Sequence, residues 1–109
     1  MREVERGDIV HLLGDQGAGS VLAVVVQSTA FGALPSLLIC PITDEEVDAP
    51  LLRIPVGDES ALGLAGPAWA MIELVTAVPR ETPMRVLGRV GGEFFRQFDK
   101  GMLAILGIA

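Results

Sequence analysis

From Gln16 to Thr43 the chain carries no charged residue, and this stretch limits the possible folds more than any other. Its length is sufficient for a membrane helix. Gln27-Ser28-Thr29, Gly32 and Pro35 interrupt it, however, and its apolar part is rich in β-branched valine. Both features favour strands over a lipid-facing helix. It therefore reads as two buried strands with a connection between them. Val21–Val26, apolar throughout, is expected to be covered on both faces. Ser36–Ile42 is the second strand and ends at Thr43. The N-terminal Met1-Arg2-Glu3-Val4-Glu5-Arg6 is charged and leads into no apolar core, so it does not read as a secretory signal. The expectation is a cytoplasmic protein with no membrane partner.

The remaining segments follow from turn residues and periodicity. Val4–Leu13 reads as a first strand. Residues 14–20 hold three glycines in seven positions and read as a loop. Leu51–Val56 is a short strand placed at a sheet edge, because Pro55 cannot donate to a ladder. Ala68–Val78 is a further strand, ended by residues 79–83. Apolar residues then recur at helical spacing: Phe94 or Phe95, Phe98, Met102, and Ile105 or Leu106. Arg96, Gln97, Asp99 and Lys100 lie between them, which is the pattern of one amphipathic helix. Gly101 weakens it by about 1 kcal/mol relative to alanine, and Gly107 is its natural stop. With 109 residues, the chain is expected to form one domain, 1–109. The fold class is α+β, a curled antiparallel sheet with a C-terminal helix.

Charge and single residues exclude more than they identify. Eight basic against fourteen acidic residues leave a net charge of −6, which counts against an extended phosphate-tracking surface. Residues 44–59 hold six acidic and one basic residue, whereas residues 80–100 hold five basic and three acidic ones. One cysteine and one histidine exclude a disulfide framework and a multi-histidine metal centre. Cys40 is flanked by apolar residues and reads as core. His11 has no nucleophile at triad spacing and reads as structural. Asp44-Glu45-Glu46-Val47-Asp48 lacks the glycine turn of a calcium loop and reads as solvated. The glycine loop lacks a Walker lysine. Trp69, the only tryptophan, reads as core or interface. None of this chemistry identifies a reaction.

The order of several short motifs resembles a family. Arg6-Gly7-Asp8-Ile9-Val10 is similar to the opening strand of the PemK/MazF toxins of bacterial toxin–antitoxin systems, relatives of the CcdB gyrase poisons. The glycine loop 14–19, Val24-Val25-Val26-Gln27-Ser28, Cys40-Pro41-Ile42-Thr43, Val75-Thr76-Ala77-Val78-Pro79 and Leu103-Ala104-Ile105-Leu106-Gly107-Ile108 follow in the family's order. The resemblance implies a small SH3-like barrel with a C-terminal helix. It also implies a homodimer neutralised by a cognate antitoxin.

MazF-type members cut single-stranded RNA without a metal or other cofactor, leaving a 2′,3′-cyclic phosphate. An arginine after the glycine loop and a threonine on the next strand carry that chemistry. Thr43 matches the threonine, while Val21-Leu22 occupies the usual Arg-Pro position and supplies no cation. The implied catalytic residues are Thr43 and Ser20, with Asp15, Gln16 and Gln27 binding substrate and no metal site. The alternative is a CcdB-like, non-catalytic toxin that binds gyrase, or a dimeric member without activity. Leu106-Gly107-Ile108 resembles the CcdB ending but lacks its tryptophan and adds Ala109.

Overall fold

A computed structural model describes residues 3–13, 21–57 and 64–108. Its strands are β1 (Asp8–Leu12), β2 (Val21–Val25), β3 (Ser36–Thr43), β4 (Arg53–Pro55), β5 (Trp69–Met71), β6 (Thr76–Pro79) and β7 (Met84–Arg89), followed by helix α1 (Gly92–Ile105). All strand pairs are antiparallel. The order β4-β5-β3-β2-β1-β7, with β6 also on β3, gives a curled sheet that does not close among the described residues. The α+β class, the C-terminal helix and the edge position of the proline-bearing strand are all present.

Within the uncharged stretch, β2 and β3 bury Ala23–Val25, Leu37, Ile39 and Cys40 on two faces, while Val21 and Leu38 stay exposed. Val24 and Cys40 face one core with Ile9, Ile54, Ala70, Ile72, Phe94 and Phe98, beneath the helix. Ala23, Val25, Leu37 and Ile39 alternate to a second core with Val10 and Leu12. Period-two alternation within an all-apolar run thus supplies two cores from one hairpin.

The run expected as a single strand, Ala68–Val78, is two strands joined by one tight helical turn, Ile72–Leu74. β5 pairs with Ile42 and Thr43, and β6 with Ser36–Ile39, so Cys40 and Pro41 face the interruption. Leu38 directs its N–H to Gln27 Oε1 and its C=O to Val26 N, both towards β2. Odd-numbered β3 residues therefore point their backbone groups the other way. The missing N–H of Pro41 falls on the β5/β6 side, where a continuous ladder needs a donor.

β7, for which the sequence reading assigned no element, pairs with β1 across a register shift between Ile9 and Val10. Ile9 faces Gly88 and Val10 faces Val86, so Leu87 is the extra residue of a bulge. The bulge, with Arg85 and Arg89 outside, erases the alternation that would mark a strand.

Glycine serves the helix in two different ways, by backbone conformation at Gly107 and by close packing at Gly101. Gly107, at a φ of +75°, ends the helix, as expected. Gly101 is buried where the helix crosses the 72–74 turn. A Cβ there would overlap the Ile72 side chain and the Leu51 carbonyl oxygen. The residue read as a helix weakness is thus a packing requirement. Gly101→Ala is expected to destabilise by about 1–3 kcal/mol through overpacking, despite alanine's better helix propensity. Urea unfolding at or above parental stability would contradict this.

The Arg6-Gly7-Asp8 signature ties the N-terminus to sheet and helix. Arg6 donates from Nε to the Val26 carbonyl and from its guanidinium to Asp99, and lies 3.7 Å over the Phe95 ring. Gly7 takes a φ of +102°. Asp8, fully buried, accepts from Glu5 N–H at 2.8 Å and from Arg89 at 2.7 Å.

Candidate active-site groove

Thr43 is the last residue of β3 and is half-buried. Its Oγ1 accepts a hydrogen bond from the Glu45 N–H at 3.1 Å. A hydroxyl has one hydrogen to give and two lone pairs. The Glu45 bond occupies one lone pair and orients the oxygen, leaving the hydrogen to donate. Such a hydroxyl is suited to an anionic oxygen, where a charge-assisted bond is stronger than a neutral one.

The groove beside Thr43 has a volume of ≈ 690 Å³ and is walled by Val21, Leu22, Pro41, Leu64 and Met71, with Asp44 at its rim. β2 and β3 run antiparallel with Ala23 opposite Pro41, which brings the start of β2 to the end of β3. Val21 thus reaches the same groove as Thr43. Among the described lining residues none is cationic. Ser20, Asp15 and Gln16 lie outside the described residues.

Gln27 occupies the other end of this hairpin. Val25 pairs with Ile39, so Gln27 is level with the start of β3, about 17–20 Å along the strand from Thr43 at 3.3 Å per residue. Its side chain is 8% exposed. The amide donates to the carbonyls of Phe31 and Ser36 and accepts from Leu38 N–H. Those bonds hold the 28–36 connection on the sheet, and the structure does not bring Gln27 to Thr43. His11 lies within β1, opposite Leu22 and Arg85.

Three ionisable groups with perturbed environments lie on the neighbouring strands and turn: Cys40, Arg53 and Glu73. Cys40 is fully buried and its thiol donates to the Met71 carbonyl at 3.3 Å. Burial, aided by the charge of Glu73, pushes its pKa up to about 12. In the native protein, the Cys40 reaction with a disulfide reagent at pH 8 is expected to be at least about 100-fold slower than in urea. Equal rates would place the thiol at the surface. Arg53 bonds Glu73 at 2.5 Å and holds its carboxyl below the usual range. That contribution to stability is complete above the unfolded carboxyl pKa and is lost as pH falls through the lower folded value. The segment 44–48 is exposed, as its composition suggested.

No described helix is long and apolar enough to cross a membrane. Residues 5–106 match the family described as PemK-like, MazF-like toxins of type II toxin–antitoxin systems. A probable endoribonuclease MazF from Mycolicibacterium smegmatis is 36% identical over 86 residues, 79% of each chain. Among solved structures, MazE–MazF from Deinococcus radiodurans superposes with a TM-score of 0.79 at 17% identity, covering 100% of both chains. An endoribonuclease bound to its cognate antitoxin, from a mycobacterial species, gives 0.80 at 15% identity over 97% of each. At such identities these structures establish the fold, which is the one implied by the motif order. The family match over residues 5–106 and the 36%-identical M. smegmatis relative go further: the chain belongs to the PemK-like, MazF-like toxins of type II toxin–antitoxin systems.

Proposed function

We propose that the protein is a cytoplasmic toxin that cleaves single-stranded RNA without a metal, and that 1–109 acts as one toxin domain. The observation carrying this reading is Thr43, held at the mouth of a groove with its hydroxyl oriented by Glu45 N–H. In the reaction the 2′-hydroxyl oxygen bonds to the adjacent phosphorus and the bond from phosphorus to the 5′-oxygen breaks. The proton leaves the 2′-oxygen and ends on the 5′-oxygen, giving a 2′,3′-cyclic phosphate and a 5′-hydroxyl. Thr43 donates to a phosphoryl oxygen as negative charge builds there. Ser20, which directly precedes Val21 in sequence, is the second catalytic residue, and Asp15 and Gln16 bind substrate. Gln27 acts from the far end of the hairpin by shaping the 28–36 connection. The absence of an arginine at Val21 removes a charged donor, so turnover is expected to be slow for this family.

The partners are a second copy and a cognate antitoxin, in keeping with the MazE–MazF complex from D. radiodurans. Leu51, Leu103, Ile105, Leu106 and Ile108 are exposed and supply apolar area for such contacts. The exposed tail, with Leu106 at 62% and Ile108 at 68%, also favours a second reading, a toxin that binds a protein such as gyrase. Induced expression in a bacterial host separates the two. Growth arrest with loss of intact mRNA, relieved by the co-expressed antitoxin, is expected. Arrest with intact mRNA and broken DNA would favour the gyrase reading.

A further inference from the structure

We propose that Trp69 is a base-stacking, specificity-determining residue adjoining Thr43, and that its occupant is a nucleobase of single-stranded RNA bearing an exocyclic amine. The inference rests on the ribonuclease reading above. Trp69 is the direct cross-strand partner of Thr43 in the β3–β5 pair, and Pro55 is the partner of Trp69 in the β4–β5 pair. Directly paired residues share a face, with Cβ atoms about 4.5–5.5 Å apart. Thr43, Trp69 and Pro55 therefore form one row, so a nucleotide whose phosphate meets Thr43 has its neighbour's base within reach of the indole. The alternate residues Ile42, Ala70 and Ile54 turn into the core, which fixes the row's orientation.

Trp69 is only half-buried and walls a second groove, of ≈ 620 Å³, with Pro55, Arg53, Glu46 and Asp48. The chemistry of that groove selects a base over a phosphate. Arg53 is already neutralised by Glu73, and Glu46 and Asp48 repel an anion. Ionised carboxylates only accept hydrogen bonds, so they suit the amine of cytosine, adenine or guanine better than uracil. An indole face offers stacking to any base. Here the tryptophan supplies adhesion and the acidic rim supplies choice, on a surface whose net charge of −6 disfavours backbone-tracking RNA recognition.

The test uses the full chain and needs no label on the protein, because Trp69 is the only tryptophan and the chain has no tyrosine. Short 2′-O-methyl oligocytidylate and oligouridylate, whose blocked 2′-oxygens prevent cleavage, are titrated while tryptophan emission is read. Anisotropy of a dye on the oligonucleotide reports binding independently. Saturable quenching by oligocytidylate is expected, with oligouridylate bound at least about fivefold more weakly. Trp69→Leu should weaken oligocytidylate binding about 5- to 150-fold, and Trp69→Phe should restore most of it. Binding without a change in emission, or equal binding of the two oligonucleotides, overturns the subsite and leaves the ribonuclease reading standing. Failure of every oligonucleotide to bind overturns both.

Discussion

Replacing Thr43 by alanine is expected to slow RNA cleavage by a factor on the order of 10²–10³, with little change in unfolding midpoint. The hydroxyl is a donor of the groove poised to meet a phosphoryl oxygen, and no cation among the described lining residues shares its task. Its internal bond, from Glu45 N–H, lies in an exposed segment where water replaces it cheaply. Stability and activity should therefore separate. Thr43→Ser keeps the donor and should retain cleavage within about tenfold, the loss reflecting looser orientation. Alanine and parent cleaving at equal rates would remove Thr43 from the chemistry. Loss of activity together with loss of folding would make its role structural.

The second large effect is expected far from the groove. Arg89→Met should destabilise the fold by about 3 kcal/mol, the low end for breaking a buried ion pair by removing one partner. Asp8 is 0% exposed, so its carboxylate cannot recover the lost interaction from water. Arg89 is 52% exposed, which limits the effect through solvent screening. Arg89 also donates to the Arg6 carbonyl at 2.9 Å, so the variant loosens the N-terminal tie as well. The double variant Asp8→Asn with Arg89→Met should regain more than half of the loss, because the asparagine carbonyl can still accept from Glu5 N–H. Urea unfolding of the three proteins measures this. A single variant within about 0.5 kcal/mol of the parent, the range of ordinary surface changes, would refute the account of the Arg6-Gly7-Asp8 signature.

The parts of this molecule readable from sequence are those whose signal is local. The uncharged Val21–Val25 and Ser36–Thr43 strands have continuous apolar runs, and α1 has its own period. Thr43 is a candidate through motif order and not through residue chemistry, since nothing in one dimension places it beside Val21. What escaped depends on pairing between distant segments. β7 is hidden because its bulge at Leu87 breaks alternation. The division of 68–78 into β5 and β6 is tied to Pro41, a residue some thirty positions earlier, through the side of β3 to which its missing N–H points. Gly101 read as a flaw because its neighbours, Ile72 and Leu51, are assembled only by the fold. Gln27 looked like a groove residue because its motif borders a strand end. The hairpin register sends it to the opposite end, with its amide bonded internally. Trp69 was ambiguous for the same reason: its partner Thr43 is defined by ladder register and not by proximity in sequence.

Incubating the purified protein with unstructured RNA in excess chelator, and identifying the ends of any fragments, tests the central claim most directly. Discrete fragments ending in 2′,3′-cyclic phosphate are expected, formed without metal and lost with Thr43→Ala. RNA that stays intact at stoichiometric protein, or fragments ending in a 3′-hydroxyl that require added metal, would contradict it.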